Sequence, residues 1–149
     1  MADDLQHLLD LEAIRALKVR YARYADAGYD ADGLASLFTD DGVWDGGRLF
    51  GRAEGRDAIR AHFVSAPSRV TWALHYVLCP EITIAPDGNS AEGTWYLWQP
   101  CTAVRKGVPT PSYLAGSYQE TYVKVDGRWY FRTLELDARW LDAPPATLP

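Results

Sequence analysis

The spacing of apolar residues divides the chain into a helical first third and a remainder rich in strands. From Asp3 to Ala27 there is no Pro or Gly, which predicts one long helix. Gly28 would end it, because glycine readily adopts the left-handed conformation found after helices. The apolar positions of this helix recur at three-to-four spacing: Ile14, Leu17, Tyr21 and Tyr24. The segments DADGLASLFTD (30–40) and GRDAIRAHFVSA (55–66) predict two shorter helices.

After Pro67 apolar and polar residues alternate, which is the period of a strand. The turn residues Asp126-Gly127 separate a strand-like run from about Tyr113 to Val125 from the run RWYFRTLELDARW (128–140), which predicts a hairpin. Between the helices, a short strand is expected near 43–45. Helices followed by hairpin-connected strands predict a single α+β domain over residues 1–149, with a curved antiparallel sheet against a helical layer.

Two further segments carry less regular patterns. GGRLFGRAEG (46–55) is rich in glycine and predicts a link rich in hairpin turns. The tail LDAPPATLP (141–149) predicts a loop.

Charge and composition narrow the possible partners. The net charge is -5 and no Lys/Arg-rich run is present, which argues against nucleic acid or an anionic membrane surface as a partner. No apolar run approaches the roughly 20 residues of a membrane span. The start, MADDLQHLLD, lacks the basic flank and apolar stretch of a secretory signal, so a cytoplasmic location is expected.

Metal-binding patterns are also missing from the sequence. Cys79 and Cys101 have no ligand spacing and are expected to be free thiols. The three histidines form no HxH or ExxH pattern, so no protein-bound metal is predicted.

One histidine interrupts an otherwise strand-like stretch, TWALHYVLCPEITI (71–84). Strand alternation places Ala73, His75 and Val77 on one face. A single histidine in a strand is more often a hydrogen-bonded core or surface residue than a base, so the pattern alone leaves the role of His75 open.

The segments LFTDDGVW, GRDAIRAHF and YVKVDGRWYFRTLEL, in this order among the predicted helices and strands, resemble the SnoaL-like branch of the nuclear transport factor 2-like superfamily. Within it, DLEAIRALKVRYARYAD, PEITI with GTWYL, and GSYQETYVKVDGRWY are similar to the bile acid 7α-dehydratases. The resemblance covers about residues 10–140, and scytalone dehydratase and the hexachlorocyclohexane dehydrochlorinases are more distant relatives. It implies a cone-shaped sheet wrapped around the long N-terminal helix and enclosing a pocket.

The resemblance also implies three catalytic residues. His75 would be the base, Asp26 would orient its ring, and Tyr21 would donate a proton or hydrogen bond, without cofactor or metal. Periodicity disagrees about Asp26, because at 100° per residue it lies about 140° from Tyr21 and would face water.

Two positions depart from the pattern of the bile acid enzymes. Gln99 stands where they carry an aspartate. Ala138 stands where they carry an arginine, and Arg139 follows one residue later.

The aromatic residues exceed what a core of this size usually needs, so some are expected to line the pocket. In GTWYLWQP (93–100), alternation separates Trp95, Leu97 and Gln99 from Tyr96 and Trp98 without showing which set faces inward. The expected substrate-pocket residues are Trp44, Phe50, Trp95, Gln99 and Tyr118.

Three functions remain open at this point. The first is a cofactor-independent hydro-lyase acting on a small hydrophobic substrate, such as a polycyclic or steroid-like hydroxy-ketone. The second is an isomerase or cyclase that uses the same base to form an enolate. The third is a non-catalytic small-ligand binding module. The resemblance further implies a homotrimer or homodimer.

Overall fold

The computed structural model describes residues 2–142, with side chains from residue 4 to residue 141. The helices are α1 (Ala2–Asp26), α2 (Ala31–Ser36), α3 (Gly47–Phe50) and α4 (Arg56–Ser65), and a 3-10 turn follows at Ala66–Ser68. The strands are β1 (Phe38–Asp45), β2 (Arg52–Glu54), β3 (Val70–Ala73), β4 (Tyr76–Ile84), β5 (Ser90–Arg105), β6 (Val108–Val125) and β7 (Arg128–Asp142).

All seven strands form one open sheet in the order β2-β1-β7-β6-β5-β3, and β4 also pairs with β5. The pairs are antiparallel except for β1 with β7, which run parallel. Register shifts between β6 and β7, at Ala115/Gly116 and at Thr121/Tyr122, mark bulges of the kind that bend a sheet. The predicted α+β class is therefore confirmed.

The long N-terminal helix and the Asp126-Gly127 hairpin are both confirmed. β6 begins at Val108, five residues before the predicted start near Tyr113, because it stays paired with β5 as far as Arg105. The 46–55 link was predicted to be rich in hairpin turns, and β2 within it pairs antiparallel with β1. The short helix α3 between these two strands was not predicted.

The C-terminal tail was predicted to be loop from residue 141 onward. Leu141 and Asp142 instead belong to β7, where they pair with β6. The rest of the tail lies outside the described residues.

The end of α1 matters for the site because it brings the helix terminus to the sheet. Gly28 and Tyr29 both have left-handed backbone conformations, with φ of 76° and 59°. The Tyr29 N–H donates to the carbonyl of Ala25 (3.0 Å) and the Asp30 N–H donates to that of Tyr24 (2.9 Å). This closure satisfies two of the carbonyls that a helix end would otherwise leave unpaired.

Helix α1 packs its apolar stripe against the inner face of the sheet. The fully buried members of this core include Ile14, Leu17, Leu34, Phe38, Ile59, Phe131 and Leu134. On β5 the inward set is Trp95, Leu97 and Gln99, whereas Tyr96 and Trp98 are exposed. No helix within residues 2–142 is both long and apolar enough to cross a membrane.

Candidate active site

His75 lies in the two-residue break between β3 and β4, and not within a strand as its surroundings suggested. Both strands pair with β5, and the Leu74 N–H donates to the carbonyl of Pro100 (3.1 Å) inside the break. Alternation nevertheless continues across it, so the imidazole faces inward and its side chain is 5% exposed.

Asp26, the last residue of α1, meets His75 at this break. One oxygen of the Asp26 carboxylate, Oδ1, lies 2.8 Å from the ring Nδ1 of His75. The same oxygen accepts a hydrogen bond of 2.8 Å from the backbone N–H of His75. The side chain is 18% exposed. The periodicity argument that placed Asp26 in water is therefore wrong, because the β3–β4 break covers that side of the helix end.

This contact determines the protonation pattern of the imidazole. An ionised carboxylate can only accept hydrogen bonds, so Nδ1 carries the proton in the neutral ring. Nε2 then keeps its lone pair and is free to accept a proton. The arrangement of carboxylate and imidazole is the one used to orient a general base in the serine protease triad.

A cavity of about 160 Å³ lies beside His75, between the helices and the inner face of the sheet. Its rim includes Leu49, Arg69 and Leu141, which are exposed. The residues that line its interior are mostly apolar or aromatic: Tyr21, Tyr29, Trp44, Phe50, His62, Phe63, His75, Gln99, Cys101, Leu114, Tyr118 and Leu136.

Four of the five expected pocket residues, Trp44, Phe50, Gln99 and Tyr118, are among these lining residues. Trp95 is not one of them. It faces inward from β5, but its indole Nε1 donates to the hydroxyl of Tyr122 (3.0 Å) within the core and does not reach the cavity.

Tyr21 lines the cavity and is held by Trp44. The indole Nε1 of Trp44 donates to the Tyr21 hydroxyl oxygen at 2.9 Å. Indole N–H groups only donate, so Tyr21 is the acceptor here and its own proton remains available for another acceptor. Burial raises the pKa of Tyr21 above its ordinary value, so the hydroxyl stays protonated at neutral pH.

The sequence analysis missed several lining residues, and three of them carry polar groups that face the site: Tyr29, His62 and Arg69. Tyr29 presents its ring edge to that of His75 (centroids 5.9 Å apart), and its hydroxyl accepts from the Gln99 amide at 3.5 Å. His62 packs on Trp44 (4.3 Å between centroids), and Arg69 lies at the rim. A signal for His62 was its helical spacing, three residues after Ile59 and next to Phe63. Arg69 follows a turn, where periodicity gives no signal.

A buried ion pair lies behind two of the lining tyrosines. Lys18 and Glu120 are in direct contact, and both side chains are fully buried. The Lys18 Nζ lies 3.2 Å from the ring centroid of Tyr118 and 4.8 Å from that of Tyr21. Glu120 also accepts from the Tyr122 hydroxyl. Burial lowers the pKa of Lys18 to about 8 and raises that of Glu120.

Arg139 does not replace the arginine that the bile acid enzymes carry at the position of Ala138. Arg139 donates to the carboxylate of Asp137 (3.0 Å), and both side chains are exposed, away from the cavity lining. Within residues 2–142, no group of three or more His, Cys, Asp or Glu side chains is placed to hold a metal ion.

Comparisons with solved structures agree on the fold. A hexachlorocyclohexane dehydrochlorinase, LinA type 2, has a TM-score of 0.87 at 19% identity and covers 97% of this chain and 95% of its own. A candidate scytalone dehydratase from Novosphingobium aromaticivorans DSM 12444 has a TM-score of 0.80 at 24% identity. The match covers 100% of this chain and 99% of the dehydratase chain. ActVI-ORFA from Streptomyces coelicolor has a TM-score of 0.69 at 19% identity. The match covers 87% of this chain and 96% of the ActVI-ORFA chain.

At these identities the likeness shows the fold alone, and the narrower resemblance to bile acid 7α-dehydratases stays a prediction. The sequence itself provides the family. A model described as the SnoaL-like domain matches residues 6–135, most of the described chain. The chain therefore belongs to the SnoaL-like domain family, within the nuclear transport factor 2-like superfamily.

Proposed function

We propose that the protein is a cofactor-independent lyase that eliminates water from a small, hydrophobic, ring-containing hydroxy-ketone. The observation that carries this proposal is the 2.8 Å contact between Asp26 Oδ1 and His75 Nδ1 at the wall of an apolar cavity. The similarity in fold to proteins named as a dehydrochlorinase and a candidate dehydratase also supports an elimination.

The reaction would begin with proton abstraction. Nε2 of His75 takes the proton from the carbon next to the substrate carbonyl, and Asp26 stabilises the imidazolium that forms. The electrons of the broken C–H bond form the new double bond, while the C–O bond to the leaving hydroxyl breaks. Tyr21 gives its proton to that oxygen, which departs as water, and the proton held by His75 returns to Tyr21 to complete the cycle.

The size of the cavity supports a substrate smaller than the steroid-like skeleton first considered. About 160 Å³ is close to the roughly 150 Å³ of an apolar protein cavity known to bind benzene, and below the 300–1,000 Å³ typical of pockets for drug-sized ligands. One ring would fill the enclosed space, and a second would reach the rim.

Gln99 favours an isomerase as a second candidate. Its buried amide lines the cavity beside Tyr29, and an amide can donate to an enolate oxygen but cannot transfer a proton. An isomerase would use the same base, so the products alone distinguish the two: loss of water from a dehydratase, and an isomer of equal mass from an isomerase.

The test is a screen of one- and two-ring hydroxy-ketones, with product analysis by mass spectrometry. For a substrate that is turned over, we expect His75→Ala to lower kcat/KM by about 10²–10⁴-fold, the usual contribution of a general base. His7→Ala, at an exposed histidine on α1, is the matched control and should leave the rate unchanged. Full activity in His75→Ala would exclude His75 as the base and refute the proposal, whereas no turnover of any compound in the screen would favour a ligand-binding role.

A further inference from the structure

Arg69 is held at the rim of the cavity by its backbone. Its N–H donates to the carbonyl of Ala66 (2.9 Å) and its own carbonyl accepts from the Val104 N–H (2.7 Å). These two bonds attach the residue to the end of the helical layer and to β5. The backbone of Arg69 is therefore fixed beside the opening of the cavity, and the side chain extends from there.

The charge of Arg69 is not compensated by the described part of the protein. Its Nη1 donates to the hydroxyl of Ser65 at 3.1 Å, and no described carboxylate lies within ion-pair distance. The two arginines of the nearby helix α4 differ in this respect, because Arg56 pairs with Asp40 and Arg60 pairs with Asp32. A guanidinium has five N–H donors, so most of those on Arg69 remain free for a ligand.

The cavity itself supplies no negative charge either. Among its described lining residues, Arg69 is the one arginine or lysine, and none is an aspartate or glutamate. Asp26, the carboxylate that contacts His75, is already bound by the backbone and ring of that histidine. Arg69 lines the cavity together with His62, and its positive charge contributes, after burial, to the lowered pKa of that histidine.

We propose that Arg69 binds a carboxylate of the substrate, so that the ligand is a one- or two-ring acid. The proposal concerns the same cavity as the elimination and narrows its substrate class. The planar guanidinium matches the two oxygens of a carboxylate, whereas a phosphate commonly engages several donors, and the rim offers a single cation. The ring would fill the apolar interior beside His75, with its acidic group at the opening.

The experiment is calorimetric titration of the full chain with 2-naphthoate and with 2-naphthamide, which has nearly the same shape and no charge. We expect wild type to bind 2-naphthoate about tenfold more tightly, the effect of a charge-assisted hydrogen bond weakened by exposure to solvent. Arg69→Met should remove this preference and leave the affinity for the amide unchanged. Arg69→Lys keeps the charge but loses the paired N–H donors of the planar guanidinium, so it should retain part of the preference for the acid.

Arg60→Met is the matched control, because it removes one positive charge from the same helical layer without altering the cavity lining. It should leave both affinities unchanged. Equal binding of acid and amide by wild type, no binding of the acid, or an equal loss in Arg60→Met and Arg69→Met would each overturn the proposal.

The same titrations in His75→Ala separate this inference from the proposed reaction. Binding of the acid requires no turnover, so the preference should persist in that variant. If the preference is present while no hydroxy-ketone is converted, the carboxylate site stands and the lyase proposal fails.

Discussion

Among single residues, His62 has an environment that disfavours its protonated form. Burial is the larger cause of its lowered pKa, and the positive charge of Arg69 is the second. We therefore expect the ring to titrate below its ordinary value of 6.5, and Arg69→Met to move the titration upward. Proton NMR of the ring resonances across pH 4–8 measures both values. A titration at or above 6.5 in wild type would contradict the assignment.

The sign of the accompanying stability change follows from the same shift. The unfolded chain binds this proton more tightly than the folded protein, so His62 lowers stability as the pH falls through 6.5. His62→Gln should therefore show a smaller loss of stability than wild type in this range.

At the scale of elements, two ion pairs connect α1 to the sheet. Lys18 and Glu120 are fully buried, whereas Asp10 and Lys124 are 9% and 15% exposed and Asp10 also accepts from Trp129. The two ion pairs therefore differ in solvent access: water can reach Asp10 if Lys124 is removed, but it cannot reach Glu120 if Lys18 is removed.

We expect Lys18→Met to lower the free energy of unfolding by about 3 kcal/mol, because it leaves Glu120 as a buried acid without its partner. Lys124→Met should cost about 1 kcal/mol, since Asp10 keeps its bond from Trp129 and some water. Denaturant titration of each variant measures these values. Adding Glu120→Leu to Lys18→Met should recover much of the loss, and equal losses in the two single variants would contradict the argument.

The comparison between sequence and structure differs from element to element. Apolar periodicity located α1, and the Asp-Gly turn located the β6–β7 hairpin, because each signal is local and repeated over many residues. Lys18 and Glu120 also occupy inward positions by the same periodicity, four residues after Ile14 and two after Tyr118. They were missed because a charged residue is normally assigned to the surface, and only the tertiary structure shows that the two are partners.

Residues of the candidate site were less accessible to sequence reasoning. Asp26 and His75 are 49 positions apart, and only the family resemblance paired them; helical angles alone placed Asp26 in water. Arg69 follows a 3-10 turn, where neither the helical nor the strand period applies. Trp95 was expected in the pocket as one of the surplus aromatic residues, but neither composition nor alternation shows how far along the strand a cavity extends.

On the scale of the whole molecule, the outward face of the sheet carries a cluster of exposed aromatic side chains. Trp98 stacks with Tyr113 (5.2 Å between centroids) and with Trp140 (6.1 Å). Trp72, Tyr76 and Tyr96 are each about half exposed on neighbouring positions of the same sheet. A contiguous apolar patch on a folded protein commonly marks an interaction surface.

We expect this outer aromatic face to mediate the homodimer or homotrimer implied by the family resemblance. Light scattering of wild type should give a mass above that of one chain, and the double variant Trp98→Glu/Trp140→Glu should give the monomer mass. Val64→Glu alters an apolar residue on α4 that is more exposed than either tryptophan, and it should not change the assembly. A monomer at all accessible concentrations of wild type would rule out this role for the face.

The single oxygen of Asp26 that contacts both the ring and the backbone N–H of His75 determines which variants can be interpreted. A substitution that deletes this oxygen, such as Asp26→Ala, removes in one step the group that orients the base and a tether between the end of α1 and the β3–β4 break. A decline in rate would then be confounded with local unfolding. His75→Ala keeps its backbone N–H, and hence the tether, so it removes the imidazole alone. Substitutions of His75 therefore test the chemistry of this site, whereas substitutions of Asp26 change the local structure as well as catalysis.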